Sequence, residues 1–405
     1  MSILNKIGYS YNDLTIVPAK ISDISSRSEC NPYINNYLPL FTSPMSCVVN
    51  EKNFNTWKSN KITPILPRTV DLDTRLQYIV DGSWVAMSLS EFRTFFIEGG
   101  IELYILDKKC SSVSLNNLEY KKNNIYNICI DIANGHMSSL YETVKSAKKI
   151  AKEKQYDLTI MTGNIANPET YESLLDSGVD YIRVSIGSGN GCLTSSNTSV
   201  HYPIATLIDE CHSSRKELCC YDRFPKIIAD GGIRNYSDII KALALGADYV
   251  MVGSLFSGFL ESAASLLYKD ANNYIIYHNG KDILNDFFED IEDIYVCNDM
   301  HEYLKRSFLS SYKDCLFKKF YGMSTKQAQK EIAIASKSND HSSMKTSEGV
   351  EKMIPCKYTI KQWTENFIDY LKSAMSYTGS TTLNNFRMFT NLIVNSNNEI
   401  NAVNK

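Results

Sequence analysis

The chain has 405 residues, a length that suits one large α/β barrel or two to three ordinary domains. Apolar residues make up 43% of it and charged residues 21%, which is the composition of a globular protein with a large core, not of a disordered chain. The formal net charge of -3 provides no broad basic surface, so we expect no sequence-independent binding to nucleic acid.

Cysteine and histidine usage indicates reduced thiols and no metal cage. The eleven cysteines are an odd number without regular spacing, which argues against a disulfide framework, and the six scattered histidines form no zinc-ligand spacing. No apolar run reaches the roughly 18 residues that a membrane helix needs, and the first residues lack a signal-peptide core. We therefore expect a cytoplasmic protein with no membrane partner.

Short β-branched or apolar runs recur along the chain, and each ends in small or polar residues, as buried strands do when they enter loops. These runs are LPLFTSPMS from Leu38, KITPILP from Lys61, SWVAMSLS from Ser83, NICIDIANG from Asn127, LTIMTGNI from Leu158, DYIRVSIGSG from Asp180, KIIADGG from Lys226 and DYVMVGSLFSG from Asp248. Amphipathic helical patterns such as SLYETVKSAKKIAKEK and PETYESLLDSG lie between the later runs. Eight such units predict a (β/α)8 TIM barrel, with a doubly wound open sheet as the rival.

Some segments fall outside this alternation. IELYILD near Ile101 is a spare strand candidate without a place in the barrel. We expect one catalytic barrel over residues 1–390, an insertion at about 268–317, a mobile polar flap at about 325–350, and a disordered tail over 391–405.

The loop after the sixth candidate strand, Gly187-Ser188-Gly189-Asn190-Gly191-Cys192-Leu193-Thr194, is the strongest chemical signal. Three glycines in five residues let the backbone approach a ligand closely, and they present the cysteine at the end of the loop. The spacing alone also allows a turn that contains a buried cysteine.

Two further glycine sites follow the seventh and eighth strands: Asp230-Gly231-Gly232 and Gly253-Ser254. In TIM barrels the loops after these strands commonly form a phosphate site from backbone N–H groups and a helix N-terminus. Either site alone would be compatible with a tight turn, but together they predict a phosphorylated ligand.

Several segments together resemble the IMP dehydrogenase/GMP reductase family. They are IADGGIRNYSDIIKALALGADYVMVGSLFSG from Ile228, the G-x-G-x-x-C loop, FYGMS from Phe320, and SYNDLTIVPAK with SRSEC near the N-terminus. The resemblance covers roughly residues 8 to 265 and 318 to 385, and it implies a TIM-barrel oxidoreductase that binds a purine nucleotide monophosphate (GMP or IMP) and a nicotinamide cofactor.

The resemblance also implies roles for individual residues. Cys192 would add to C2 of the purine, and Thr194 with Glu348 would help ammonia to leave. The residues implied for the nucleotide are Asp230 on the ribose, Gly231 and Gly232 with Gly253, Ser254 and Tyr321 around the phosphate, Gly322, Met323 and Ser324 near the base, and Ser43 and Met45 after the first strand. Asp131, Asn134 and Gly135 would line the cofactor side, and the carbonyls of Gly187, Gly189 and Cys192 match a loop that binds K+ in some relatives. The loop departs from the common pattern at Asn190-Gly191, Leu193 and Ser195, which bears on that cation.

The two reactions of the family differ in the fate of the covalent adduct. Dehydrogenases hydrolyse the adduct with an Arg-Tyr pair on the flap, but this chain has no arginine between Arg306 and Arg387, which leaves only His341 as a substitute base. The chain also has no room for the tandem regulatory domain of most dehydrogenases. We therefore expect an NADPH-dependent GMP reductase, with IMP dehydrogenase as one alternative and a catalytically inactive nucleotide-binding regulator as the other. Relatives are tetramers, which implies a homotetramer.

Overall fold

The structure is a computed structural model. It describes residues 6–111, 124–189, 191–217, 223–269, 275–276, 301–336, 346–347 and 349–395. Of the predicted features, Asn190, His341 and Glu348 lie outside the described residues, as do most of the insertion, the middle of the flap and residues 396–405.

An eight-stranded, all-parallel sheet forms the centre of the molecule. Its spatial order is β2-β9-β8-β7-β6-β5-β4-β3. The strands are β2 (Leu40–Thr42), β3 (Ile65–Leu66), β4 (Trp84–Met87), β5 (Ile125–Ile130), β6 (Asp157–Ile165), β7 (Tyr181–Val184), β8 (Lys226–Asp230) and β9 (Tyr249–Val252). Each of the eight predicted runs supplies one strand, so the barrel prediction is confirmed and the doubly wound sheet is wrong.

Hydrogen bonds between the first two barrel strands close the sheet on itself. The Thr63 N–H donates to the Leu40 carbonyl at 3.0 Å, and the Thr42 N–H donates to the Thr63 carbonyl at 3.0 Å. The Thr42 hydroxyl also accepts the Ile65 N–H at 3.0 Å. Closure removes the free edges of the sheet and brings all eight carboxyl ends of the strands to one face.

The helices cover the outside of the barrel, and many begin at a side-chain cap. Asn167 caps the helix that starts with Pro168, and Asn235 caps the helix that starts at Tyr236. The helices are α1 (Phe54–Ser59), α2 (Leu72–Val80), α3 (Leu89–Phe96), α4 (Gly100–Ser111), α5 (Ser138–Lys154), α6 (Pro168–Leu175), α7 (Thr194–Thr198), α8 (Ile204–Glu217), α9 (Tyr236–Ala244), α10 (Ser254–Ser257), α11 (Glu302–Ser311), α12 (Lys326–Ala335), α13 (Ile360–Tyr377) and α14 (Leu383–Phe389). Among the described residues no helix is both long enough and apolar enough to cross a membrane.

The spare strand candidate IELYILD is helical and belongs to α4. Ile101 is buried, and Tyr104 and Ile105 pack against the core, whereas Leu103 and Leu106 are exposed. This i, i+3, i+4 spacing is the period of a helix and not of a strand, so the strand prediction is wrong because it considers the apolar run without its period.

A second, antiparallel sheet lies outside the barrel. It contains β10 (Leu266–Lys269), β11 (Ile275–Ile276), β12 (Leu316–Tyr321) and β13 (Glu351–Pro355), in the order β11-β10-β12-β13. The described ends of the predicted insertion therefore belong to this sheet and to α11, and the first part of the predicted flap forms α12. The last residue of β12 is Tyr321, so this sheet leads directly into the predicted base and phosphate loop.

The start of the predicted disordered tail is an ordered strand, β14 (Asn391–Val394). It pairs antiparallel with β1 (Leu14–Val17), in a register that places Leu14 opposite Val394. The side chain of Leu392 packs against the core. Disorder is therefore the wrong prediction for 391–394, because the Asn-rich composition hid a short apolar strand that has a partner at the other end of the chain.

Candidate functional site

The cysteine loop follows β7 and holds Cys192 half-buried, with a free thiol. The Cys192 N–H donates to the Gly189 carbonyl at 3.0 Å, which folds the loop back on itself. The Cys192 Sγ–H donates to Thr194 Oγ1 at 3.2 Å, and Thr194 is the first residue of α7. A hydroxyl at this distance is able to donate back to the sulfur once the thiol has lost its proton.

Two other segments join the cysteine loop through backbone contacts. Cys192 and Gly349 form an isolated antiparallel bridge, the Val350 N–H donates to the Gly191 carbonyl at 3.0 Å, and the Gly322 N–H donates to the Val350 carbonyl at 3.2 Å. Gly349 and Val350 thus lie beside the thiol loop. Glu348 is not among the described residues.

Glycine is required where these segments touch. A Cβ at Gly191 would lie 2.6 Å from the Phe320 ring, and one at Gly349 would lie 2.9 Å from the Thr325 nitrogen. Such distances are closer than side chains tolerate. A Cβ on Gly322 would lie 2.8 Å from the Gly191 carbonyl oxygen, so the predicted base residue Gly322 lies against the cysteine loop. Ser324, the other predicted base residue, lies instead against Gly349, where a Cβ would be 3.1 Å from its Oγ. Met323, between Gly322 and Ser324, packs against the core.

The predicted phosphate end is built from the loops after β8, β9 and β2. Gly231 and Gly232 adopt φ values of +115° and +73°, a left-handed backbone that favours glycine, and Gly231 packs against the Gly189 nitrogen of the cysteine loop. Gly253 precedes the short helix α10 that begins with Ser254. A Cβ on Gly253 would lie 3.0 Å from Met45 Sδ and 3.4 Å from Ser43 Cβ. The structure therefore brings Ser43, Met45 and Gly253 together.

Tyr321 lies close to the same end, with its hydroxyl engaged by the protein. Ser46 Oγ lies 3.0 Å from this hydroxyl, and the Tyr321 O–H donates to Glu331 Oε1 at 2.9 Å. The Cys47 thiol donates to the Tyr321 carbonyl at 3.4 Å. Burial raises the pKa of Tyr321, so the hydroxyl remains protonated and acts as a donor.

A buried arginine joins the predicted ribose residue to the predicted cofactor residue. Arg183 Nε lies 2.9 Å from Asp230 Oδ2, and Arg183 Nη1 lies 2.8 Å from Asp131 Oδ1. Asn164 donates to the same Asp230 oxygen at 2.8 Å, and Arg68 donates to the Asp131 carbonyl at 3.2 Å. Burial alone would lower the pKa of Arg183, but the neighbouring Asp230, Cys129 and Asp131 outweigh it and raise that pKa well above its ordinary value. Arg183 is therefore a permanent cation that fixes both carboxylates.

The remaining predicted cofactor residues form the loop between β5 and α5. Asn134 Oδ1 accepts the His136 N–H at 3.0 Å, and the Gly135 N–H donates to the Asn164 carbonyl at 2.9 Å. A Cβ at Gly135 would lie 2.7 Å from that carbonyl oxygen, which explains the glycine. His136 Nε2 accepts the Ala166 N–H at 3.1 Å, and its Nδ1 lies 2.8 Å from Thr170 Oγ1.

Two of the carbonyls proposed to bind a cation already accept hydrogen bonds. The Ser195 hydroxyl donates to the Gly187 carbonyl at 2.9 Å, and the Gly189 carbonyl accepts the Cys192 N–H. A carbonyl oxygen has two lone pairs, so each keeps capacity for a further partner.

The sequence-predicted residues that the structure describes thus gather at the carboxyl ends of the barrel strands and at the end of β12. Sequence reasoning missed Arg183 and Glu331. Arg183 had a usable signal, since a single arginine interrupts the otherwise apolar strand YIRV. Glu331 had none, because a glutamate on a polar helix is common.

The chain matches a known protein family. The family model described as the IMP dehydrogenase / GMP reductase domain matches residues 116–296 and 307–402, which is more than half of the chain.

Named relatives are also similar to the chain. A protein named GMP reductase from Bacillus subtilis is 30% identical over 277 residues, which cover 66% of this chain and 77% of the relative. One of the same name from Caenorhabditis elegans is 29% identical over 259 residues, covering 63% of this chain and 56% of the relative. GMP reductase 2 from Homo sapiens is 28% identical over 256 residues, covering 63% and 57%. The similarity thus spans little more than half the length of the worm and human proteins. On the family match, the chain belongs to the IMP dehydrogenase/GMP reductase family.

Proposed function

We propose that this chain is a GMP reductase, which converts GMP, NADPH and a proton into IMP, NADP+ and ammonia. The observation that carries the proposal is the contact of Cys192 with Thr194 and with the Gly349 segment, at the edge of a barrel whose relatives bear the name GMP reductase. Cysteine suits this role because a thiolate is a strong nucleophile near neutral pH.

In this proposal, the Cys192 thiolate adds to C2 of the purine and the 2-amino group leaves as ammonia; once C2 has received hydride, the carbon–sulfur bond breaks, which frees IMP and regenerates the thiolate. The covalent adduct divides one difficult displacement into two easier steps. Thr194 and Glu348 move the proton that the leaving amine requires. NADPH, when bound, supplies the hydride. The residues proposed to hold it are Asp131, Asn134 and Gly135, and the fixed Arg183–Asp131 pair supports a rigid wall there.

The nucleotide would lie between the phosphate end and the cysteine loop. Asp230, held by Arg183 and Asn164, presents an oriented carboxylate to ribose hydroxyls. Gly231, Gly232, Gly253 and Ser254 supply backbone groups for the phosphate. The Ser188 hydroxyl is buried in the cysteine loop and has no hydrogen-bond partner within the described part of the chain, which also fits a loop shaped for a polar ligand.

The assembly, location and cation are proposed on the resemblance alone. We propose a cytoplasmic homotetramer, with K+ bound by the carbonyls of Gly187, Gly189 and Cys192. Activity measured in potassium and in N-methylglucamine at equal ionic strength tests the cation: loss of activity without potassium supports it, and equal rates contradict it.

The test of the proposed reaction is a pair of assays at the nicotinamide absorbance. Purified protein with GMP and NADPH should consume the cofactor, whereas protein with IMP and NAD should form no xanthosine monophosphate. Robust oxidation of IMP would favour the dehydrogenase, and the absence of both reactions, with GMP still bound, would favour the inactive regulator.

The role of Glu348 has its own test within these assays. Replacement Glu348→Gln should abolish ammonia release and leave GMP binding unchanged, because an amide cannot move a proton as a carboxylate does. Wild-type rates in this variant would remove Glu348 from the mechanism.

A further inference from the structure

One carboxylate accepts hydrogen bonds from two hydroxyl groups that lie beside the predicted phosphate end. Glu331, on α12, accepts the Tyr321 O–H on Oε1 at 2.9 Å and the Ser46 O–H on Oε2 at 2.7 Å. The Gln327 side-chain amide donates to Oε1 at 3.2 Å. Both oxygens of the carboxylate therefore point at neutral donors.

In this arrangement neither hydroxyl has a proton left to donate to a ligand. Tyr321 and Ser46 have one hydroxyl proton each. Tyr321 directs its proton at Glu331, and Ser46 lies nearer to Glu331 than to the Tyr321 oxygen, 2.7 Å against 3.0 Å. A ligand that approached these two hydroxyls would meet lone pairs and a nearby negative charge.

A phosphate group requires free hydrogen-bond donors in place of lone pairs and negative charge. It is an anion that binds through donated hydrogen bonds, and it competes for the same donors that a carboxylate takes. Like charges at one site also repel each other when water is excluded. Glu331 is thus placed where a nucleotide phosphate would otherwise use Tyr321 and Ser46.

We propose that Glu331 is an internal competitor for the nucleotide phosphate: its carboxylate holds the Tyr321 and Ser46 hydroxyls in the free protein and must release them when the nucleotide binds. The inference rests on the proposed function, because Tyr321 is assigned to the phosphate there. It makes Glu331 a residue that sets nucleotide affinity, not one that reacts.

The contacts of Glu331 permit this release. In the described part of the chain its carboxylate contacts hydroxyl and amide groups and forms no ion pair with a lysine or arginine. Its side chain is half-buried, whereas α12 as a whole is anchored through the Thr325 cap and the buried Ala328. A rotation of the Glu331 side chain therefore needs no movement of the helix.

The experiment compares Glu331→Ala and Glu331→Gln with wild type by isothermal titration calorimetry, using GMP, guanosine and inorganic phosphate at one ionic strength. We expect Glu331→Ala to tighten GMP binding on the order of tenfold, because a like charge and a rival acceptor are both removed. The binding of inorganic phosphate should tighten as well, and the affinity for guanosine should change less than about twofold. Glu153→Gln on the exposed face of α5 is the charge-matched control.

The contrary outcomes are distinct. Weaker GMP binding in Glu331→Ala would show that Glu331 positions Tyr321 for the ligand, and unchanged GMP binding would place the phosphate elsewhere; either result overturns the inference. If wild type fails to bind GMP or to reduce it, the proposed function fails. The binding of inorganic phosphate to wild type and to Glu331→Ala then tests the role of Glu331 separately. Should Glu331→Ala unfold, Glu331→Gln, which keeps the side-chain volume, gives the same test with a smaller expected gain.

Discussion

The half-buried thiol of Cys192 is the residue on which the proposed reaction depends. Its loop is held by hydrogen bonds that do not involve the sulfur, and the sulfur contacts Thr194 Oγ1. Replacement of sulfur by oxygen would therefore leave the loop unchanged but remove the nucleophile.

We predict that Cys192→Ser binds GMP with an affinity close to that of wild type and has no measurable turnover, because an unactivated hydroxyl is a far weaker nucleophile than a thiolate. Calorimetry and steady-state kinetics measure the two properties. Cys315→Ser changes a similarly half-buried thiol just before β12 and should retain activity. Activity of Cys192→Ser within about tenfold of wild type would remove the thiol from the mechanism.

Arg183 offers a stability prediction at the same scale. Its guanidinium is buried between two carboxylates, so Arg183→Met leaves Asp131 and Asp230 without their cation and should lower the free energy of unfolding by about 3–5 kcal/mol. Arg306 also pairs with two carboxylates, those of Glu302 and Glu365, but near the surface. Arg306→Met should therefore cost less than about 1 kcal/mol. Urea unfolding measures both, and equal losses would contradict a structural role for the buried pair.

Among the elements, the loop between β5 and α5 is joined to the end of β6 by one imidazole. His136 Nε2 accepts the Ala166 N–H, so this nitrogen has no proton and Nδ1 carries the hydrogen. Partial burial lowers the pKa of His136, which favours the same neutral form. Protonation would remove the acceptor and loosen the loop proposed to hold the cofactor.

The sign of the pH effect is set by this lowered pKa. Just below the unfolded histidine pKa of about 6.5 the unfolded chain binds more protons than the folded protein, so the contribution of His136 is present at higher pH and is lost as pH falls through its lowered pKa. The unfolding temperature of wild type should therefore fall more steeply with acidification than that of His136→Gln. Equal slopes in the two proteins would show that the imidazole is not coupled to folding.

The helices and strands were not equally predictable from the sequence. The eight barrel strands were predictable because each is a short apolar run that ends in glycine or a polar residue, as in IADGG. The sequence predicted α4 wrongly because the helical period of Ile101, Tyr104 and Ile105 was not followed. It did not predict β14, because that strand depends on a partner, β1, more than 370 residues away.

The site shows the same limit. Cys192 and the glycines of the β7, β8 and β9 loops could be predicted as site candidates because each lies in a single short motif. The contacts of Arg183 with Asp131 and Asp230 join three strands, and those of Glu331 join α12 to the loop after β2. Such contacts exist only after the barrel has closed and the outer sheet has docked, so no spacing along the chain contains them.

At the scale of the whole molecule, the closed barrel and the outer sheet together assemble the candidate site. The barrel collects the loops after β2, β5, β7, β8 and β9 at one face, and β12 brings Tyr321 and Gly322 to the same place from outside it. The outer sheet therefore completes the candidate site, and its β13 strand begins next to the segment that bridges Cys192.

The measurement that tests the central claim most directly traces one nitrogen atom. GMP labelled with 15N on its 2-amino group is incubated with the protein and NADPH, and mass spectrometry quantifies IMP and labelled ammonia beside the oxidised cofactor. Reductive deamination through Cys192 predicts the three products in equal amounts, and none of them with Cys192→Ser. Absence of labelled ammonia, together with formation of xanthosine monophosphate from IMP and NAD by the wild-type protein, would contradict it.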